Sequence, residues 1–250
     1  MNLSVAIITF NEEENIRKCL ESIKWADEIV VVDSFSTDKT VLICKEYTDK
    51  IVQKEWEGYG IQKQFALEQT TSDWVLSIDA DERVSSELKQ EILSTQLDKD
   101  AYNIPFKFYL LGRQLRFGGC GRERHIRLFR RQKAEFTQAM VHEDILVNGE
   151  TGCLKNIIVH FSYKDIADYF DKFNQYSTID AIKKFRQGKR IILTLQIFAS
   201  ILDFVKRYIL QLGFLDGVPG FLWASFSSFH RMVKYAKLWE IQVEASRIKR

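Results

Sequence analysis

At 250 residues and 46% hydrophobic composition, the chain is long enough for one well-formed core with an appended subdomain, and too apolar to be disordered. The net charge of +2 hides an asymmetry: residues 160–250 carry 15 Lys and Arg against 8 Asp and Glu, while residues 1–159 carry 21 against 26. The basic rear half is rich in apolar and aromatic residues, which directs it toward an anionic membrane face rather than toward nucleic acid.

In chain order, Leu3 to Thr9 is an apolar run without clean alternation, as expected of a strand covered on both faces. Met1-Asn2 leads straight into it with no charged n-region and apolar h-region, so a cytoplasmic protein is expected. Asn11 with Glu14 has the spacing of a capping box, and Ile16, Cys19, Leu20 and Ile23 then recur at helical spacing. The turn Thr9-Phe10-Asn11-Glu12 lacks the glycines of a GxGxxG loop, which argues against a dinucleotide-binding dehydrogenase. Ile29 to Val32 reads as the second strand, ending on Asp33. There the carboxylate could accept the imide proton of a uracil base or merely cap a turn, with Thr37 or Asp38 capping the helix of Val41, Cys44 and Tyr47. The four cysteines are widely spaced with no CxxC pair, and Cys19 and Cys44 fall on helical apolar stripes, which fits core fillers in a reducing compartment.

Residues 51–54 give a brief third strand, and Gly58-Tyr59-Gly60 links it to a helix from about Ile61 to Glu68. Lys63, near that helix's start, could reach an anionic donor or be solvated. The strand Trp74-Val75-Leu76-Ser77-Ile78 then runs into Asp79-Ala80-Asp81-Glu82, followed by a helix opened by Ser85 and Ser86. Ligands of open α/β sheets bind at the carboxyl edge of the strands. Two carboxylates flanking small Ala80 could therefore reach a hard divalent cation and a sugar hydroxyl from one turn. The alternative is a solvated turn whose acids favour the helix N-terminus.

The motifs Thr9-Phe10-Asn11-Glu12-Glu13, Val32-Asp33-Ser34-Phe35-Ser36-Thr37-Asp38 and Ile78-Asp79-Ala80-Asp81-Glu82, in this order and each at a strand end, resemble family 2 glycosyltransferases of the GT-A fold. The resemblance is nearer still to the lipopolysaccharide-core β-glucosyltransferase branch, the WaaE and LgtF-like enzymes. It takes in Gln62-Lys63 with Phe65-Ala66-Leu67, Arg127-Leu128-Phe129, Val141-His142-Glu143 and Gly213-Phe214-Leu215-Asp216-Gly217. The departures are Phe35 and Lys39 where glycine is common, and Gln64 where asparagine is common.

The resemblance implies an α/β fold, a Rossmann-like mixed sheet flanked by helices, over residues 1–162. Residues 1–100 would form the nucleotide-sugar half, 101–162 the acceptor half, and 163–250 an amphipathic helical region. Thr9, Phe10, Asn11, Glu12, Asp33, Ser34, Lys63, Asp79, Ala80 and Asp81 would surround a UDP-sugar, with Asp81 and Asp79 at an Mg²⁺ or Mn²⁺ ion that neutralises the departing diphosphate. The ion would keep waters and be completed by phosphate oxygens.

The further strand candidates are Tyr102 to Leu111, Ile126 to Arg130, Ile145 to Val147 and Ile157 to Phe161. The glycine-rich, basic segment 118–125, with Arg122, could close on a diphosphate or an anionic acceptor, or be a solvated hairpin loop. Arg127 and Arg130 could bind phosphate or flank an edge strand. An inverting transfer needs a carboxylate to take the acceptor hydroxyl proton; Glu143 is the candidate and Asp144 the reserve. His142 could orient Glu143, contact the acceptor, or be structural.

After His160 the pattern is helical. Ile166, Tyr169, Phe170 and Phe173 form an amphipathic stripe that continues through Tyr176, Ile179 and Ile182 to the basic run Lys183, Lys184, Arg186, Lys189 and Arg190. Ile191 to Leu202 is too short for a bilayer span, which needs roughly 20 residues. Glycines and Pro219 interrupt Tyr208 to Phe226, so a helix-turn-helix lying on the inner face of the cytoplasmic membrane is expected, or else packing that makes a homo-oligomer. The expectation is a membrane-peripheral inverting transferase moving a hexose, glucose, from a UDP-sugar to a lipid-linked saccharide such as the lipopolysaccharide inner core. A sugar nucleotidyltransferase would need a basic, glycine-rich first loop, which acidic Phe10-Asn11-Glu12-Glu13 does not supply. A non-catalytic membrane module accounts only for the rear half.

Overall fold

The computed structural model describes residues 2–120, 123–138, 144–163 and 165–248. They cluster into two compact units, residues 1–107 with 122–160, and residues 108–121 with 161–250. Residues 108–121 thus group with the helical region rather than with the acceptor half.

The first unit opens with β1 (Leu3–Thr9), α1 (Ile16–Ile23), β2 (Glu28–Asp33), α2 (Thr40–Cys44), β3 (Ile51–Gln53), α3 (Tyr59–Glu68), β4 (Trp74–Asp79), β5 (Glu82–Val84) and α4 (Ser86–Ser94). In the chain, β6 (Ala101–Leu110), β7 (Arg113–Leu115), β8 (Arg124–Arg130), a 3-10 turn (Arg131–Lys133), β9 (Ala134–Phe136), β10 (Ile145–Val147), β11 (Thr151–Cys153) and β12 (Ile158–Tyr163) follow, of which β7 and the last residues of β6 and β12 belong to the second unit. The strands β3-β2-β1-β4 are parallel, and β8 joins β4 antiparallel before pairing with β6. β1, β2 and β4 are buried along nearly their whole length, because α1 and α4 cover one face of the sheet and α3 the other. This two-sided cover is why their sequences are apolar runs without alternation. The architecture is a GT-A fold, a mixed α/β sheet flanked by helices.

α1 buries Ile16, Cys19, Leu20 and Ile23, the stripe its spacing predicts. Burial of each such aliphatic side chain contributes about 1.5–3 kcal/mol. The capping box does not form: the helix starts at Ile16, and Asn11 sits at φ +51° with its Oδ1 accepting the Thr37 N–H at 2.8 Å. Asn11 links two loops instead of capping its own helix. α4 is capped as read, with Ser85 Oγ accepting the Leu88 N–H at 3.1 Å. The acidic turn after β4 is shorter than expected, because Glu82 to Val84 form β5, antiparallel to β12.

The second unit holds α5 (Ile166–Arg186), α6 (Leu193–Val205), a π turn (Lys206–Leu210), a 3-10 turn (Gly213–Asp216) and α7 (Gly217–Ile248). Asp165 caps α5 through the Asp168 N–H at 2.8 Å, and Lys183, Lys184 and Arg186 favour the negative end of the helix dipole. Aromatic contacts join α5 to α7, among them Phe173 stacked on Phe229 at 5.5 Å and Tyr169 against Phe226 at 4.9 Å. The elbow between α6 and α7 needs its glycines, since a Cβ on Gly220 would lie 1.9 Å from the Gly213 carbonyl oxygen. Asp216 accepts the N–H groups of Arg116 and Phe117, both at 2.9 Å, which ties the elbow to the β7 hairpin. Among the described residues no single helix is long and apolar enough to cross a membrane.

Candidate active site

The parallel register sets the ends of three strands side by side. Thr9 lies opposite Asp33 across β1 and β2, and Ile8 lies opposite Asp79 across β1 and β4. The carboxyl edge of the sheet therefore gathers Thr9, Asp33 and Asp79 from segments far apart in sequence. Ser34 donates its N–H to the Thr9 carbonyl at 2.9 Å, and Gln62 Nε2 from α3 donates to Ser34 Oγ at 2.8 Å. Thr9 Oγ1 is buried with no hydrogen-bond partner among the described residues.

The two loops beyond these strands are laced together. Ser36 Oγ accepts the Asn11 N–H and Thr40 Oγ1 the Glu12 N–H, both at 2.8 Å, while Glu12 Oε2 accepts from Asn15 Nδ2 at 2.8 Å. Asn11 and Glu12 shape the loop rather than forming a free polar surface. Asp33 takes the turn-capping role: it is fully buried and accepts the Ser36 N–H at 2.9 Å and the Ser36 hydroxyl at 2.5 Å. Phe10 and Phe35 project from neighbouring loop tips, 56% and 49% exposed, and Phe35 holds φ +59°, the left-handed region that favours glycine. Two bare aromatic rings at a strand edge offer flat faces on which a base can stack.

The turn after β4 carries the charge. Lys63, itself buried, donates from Nζ to Asp79 Oδ2 at 3.1 Å. Arg127 from β8 donates through Nη2 to Glu82 Oε1 at 2.6 Å and to Asp79 Oδ2 at 3.3 Å, with its guanidinium 5.2 Å from the Phe106 ring centre. β8 lies inside the sheet between β4 and β6, so the edge-strand reading of Arg127 is wrong. Glu82 is fully buried and its Oε2 also accepts the Asp79 N–H at 2.8 Å, which rules out a solvated turn at that residue. Ala80 is buried in the core beneath the turn, where a larger side chain would displace the acids.

Burial acts to raise the Asp79 carboxyl, but the charges of Lys63 and Arg127 outweigh it and hold the group well below the usual range. Glu82 is pushed up by burial, against the pull of Arg127 and with the push of the neighbouring Asp79 charge.

Asp81 meets a residue the sequence did not single out: its Oδ2 lies 3.2 Å from His160 Nε2, on β12. Burial acts to lower the imidazole, yet the Asp81 charge and hydrogen bond, with Glu82 and Asp79 behind them, raise it to about 9. These acids favour the protonated imidazole at His160. A lone histidine within the apolar run Ile157 to Phe161 was the available signal, and nothing local said that β5 would carry the acids to it.

Among the described residues no group of three or more His, Cys, Asp and Glu side chains is arranged to hold a metal ion by itself. The Asp81 and His160 pair nevertheless fits a divalent ion that takes its remaining ligands from phosphate oxygens and water, since a carboxylate oxygen and an imidazole nitrogen already converge there. Asp79 fits less well as a direct ligand, because Lys63 and Arg127 engage its carboxylate. Arg122, His142 and Glu143 lie outside the described residues. The reserve base Asp144 is exposed directly before β10, where its N–H donates to Thr137 Oγ1 at 3.0 Å.

Comparison with known proteins bears on this arrangement. The chain is 32% identical over 248 residues to the lipopolysaccharide core biosynthesis glycosyltransferase LpsC of Rhizobium meliloti, covering 95% of this chain and 92% of that protein. It is 33% identical over 261 residues to an uncharacterized glycosyltransferase of Rickettsia typhi, covering 98% and 89%. Among solved structures, S. aureus TarS 1-349 in complex with UDP-GlcNAc superposes with a TM-score of 0.49 at 18% identity, covering 93% of this chain and 82% of that one. The sequence profile of glycosyl transferase family 2 matches residues 4–153, the span that contains the ends of β1, β2 and β4 and the three acids Asp79, Asp81 and Glu82, and the chain belongs to that family.

Proposed function

We propose that this transferase moves glucose from UDP-glucose to a lipid-linked saccharide of the lipopolysaccharide inner core, with inversion at the anomeric carbon. The observation that carries the reading is the convergence of Thr9, Asp79 and Asp81 with His160 at one strand edge. The likeness to LpsC, named for lipopolysaccharide core biosynthesis, supports the acceptor class.

In this reading the uracil base stacks between the loop tips of Phe10 and Phe35, and Thr9 Oγ1 gains a hydrogen-bond partner that the described residues do not supply. Asp33 keeps the Ser36 turn in place beneath the nucleoside. Asp81 and His160 would hold Mg²⁺ or Mn²⁺, which supplies Lewis-acid neutralisation of the diphosphate. Lys63 and Arg127 keep Asp79 ionised and aimed at the sugar hydroxyls. The acceptor oxygen forms its bond to the anomeric carbon from the face opposite the diphosphate. The bond from that carbon to the β-phosphate oxygen breaks, UDP carries away the electron pair, and Glu143 takes the acceptor proton. General-base help of this kind contributes roughly 10²- to 10⁴-fold.

The test is incubation of the purified chain with UDP-glucose and inner-core lipopolysaccharide, followed by release of UDP and the anomeric configuration of the product. A β-glucosyl product is expected. Transfer from another nucleotide sugar in preference to UDP-glucose would overturn the donor assignment, and an α-linked product would overturn inversion.

A further inference from the structure

The second unit carries a surface that its own fold leaves uncovered. On α6 the outward stripe is Leu195, Phe198, Ile201 and Leu202, each between 57% and 69% exposed. An ordinary surface helix puts charged residues on such a face. The one charged residue of α6, Asp203, is turned aside to Arg207 at 3.0 Å. The apolar run continues round the elbow through Leu210 and Val218, 73% and 71% exposed. Monomeric proteins rarely leave more than a few hundred Å² of contiguous apolar surface bare, and six large apolar side chains along this run are each more than half exposed.

Two more features say what covers it. A groove of about 390 Å³ between α6 and α7 is walled by Ile197, Ile201, Phe204, Phe229 and Met232. Its two serines, Ser200 and Ser228, donate to the carbonyls of Gln196 and Ser225 on their own helices, so the groove presents hydrocarbon alone. Just ahead of α6, Lys183, Arg186, Lys189 and Arg190 are exposed, a cationic approach leading directly into the apolar stripe. An acyl-lined, anion-headed surface matches both halves of this pattern, whereas a protein partner of mixed polarity matches neither.

We propose that the second unit docks on an anionic phospholipid bilayer, with the α6 stripe and the elbow among the acyl chains, an acyl chain in the α6–α7 groove, and the basic run on the lipid phosphates. The 68° bend between the segments Leu193–Leu210 and Gly213–Arg247 suits an element that enters one leaflet and turns back. Nothing in this inference depends on the sugar donor or on the residues of the first unit.

The test is flotation of the full chain with vesicles of phosphatidylcholine containing one part in three phosphatidylglycerol, against vesicles of phosphatidylcholine alone. The wild type is expected to float with the anionic vesicles, and Phe198→Glu with Leu202→Glu to lose at least tenfold of that partition while melting at the wild-type temperature. The milder pair Leu195→Ser with Leu210→Ser should shift in the same direction, and Lys189→Ser with Arg190→Ser should abolish the preference for phosphatidylglycerol. UDP release from UDP-glucose in the absence of vesicles should be equal in all these variants, so a failure of docking is read separately from a failure of the donor assignment. A wild type that does not float, or a glutamate pair that floats as well as the wild type, overturns the proposal. So does a dimer in light scattering that the glutamate pair converts to monomer, since a second copy would then be the cover.

Discussion

The strand edge and the α6 face break the usual rule of polarity in opposite directions. At the edge, Asp79, Asp81 and Glu82 are charged groups drawn inward, with Glu82 fully buried; on α6, Phe198 and Leu202 are large apolar groups turned outward. The first departure is compensated inside the chain, by Lys63, Arg127 and His160. The second has no such compensation among the described residues of its own unit. A buried charge with its counter-charge in place is a site prepared for a ligand, whereas a bare apolar face is a site whose other half lies elsewhere.

Breaking the compensation at the edge should have the largest effect. Arg127→Met removes the guanidinium that faces both Glu82 and Asp79, and leaving buried carboxylates without it should cost about 3–5 kcal/mol of stability, measured by urea denaturation. Wild-type stability in that variant would mean the charges rearrange without penalty. Asp81→Asn tests function rather than stability: turnover with UDP-glucose should fall roughly 10²- to 10³-fold with little change in melting temperature, the scale of losing one electrostatic contact at a reacting centre.

On the other side of the comparison, Gly220→Ala should destabilise the second unit by about 1–3 kcal/mol, because the added methyl collides with the Gly213 carbonyl. The loss should appear in thermal unfolding followed by circular dichroism.

A smaller effect tests whether compensated charges matter away from the site. Glu28 is the partner of Lys50 and of the Ser4 hydroxyl, and it accepts the Thr71 N–H and hydroxyl, each at 2.8 Å. Burial acts to raise its carboxyl, but these partners lower it from 4.5 to about 2. Because the folded value is depressed, its contribution to stability is complete above the unfolded value and is lost as pH falls from about 4.5 toward 2. Glu28→Gln should therefore lower stability by about 1 kcal/mol at neutral pH, on the scale of a charge-assisted hydrogen bond, and the difference from wild type should shrink as the pH approaches 2.

What the sequence reveals follows from how local each interaction is. β1, β2 and β4 are legible because burial on both faces writes a continuous apolar run, and α1 and α4 because Ile16, Cys19, Leu20 and Ile23, and the Ser85 cap, are short-range signals. β7, β9 and β11 are three residues each and exist only through their partners, so periodicity had nothing to register. The Asn11 and Glu14 spacing does not become a capping box because the Asn11 side chain is claimed by a loop 26 positions away in sequence. His160 escaped for the same reason on a larger scale: its partner, Asp81, is 79 positions back and meets it only because β5 pairs with β12. Acids at strand ends announce themselves; the counter-charges that tune them arrive from elsewhere in the fold.

In the proposed function, Asp81 and His160, and not Asp79, hold the divalent ion at the UDP-sugar diphosphate. Manganese binding followed by electron paramagnetic resonance in the presence of UDP reads this without turnover. The account predicts that Asp81→Asn and His160→Ala each weaken binding at least tenfold, while Asp79→Asn changes it far less. Wild-type manganese affinity in Asp81→Asn would contradict it.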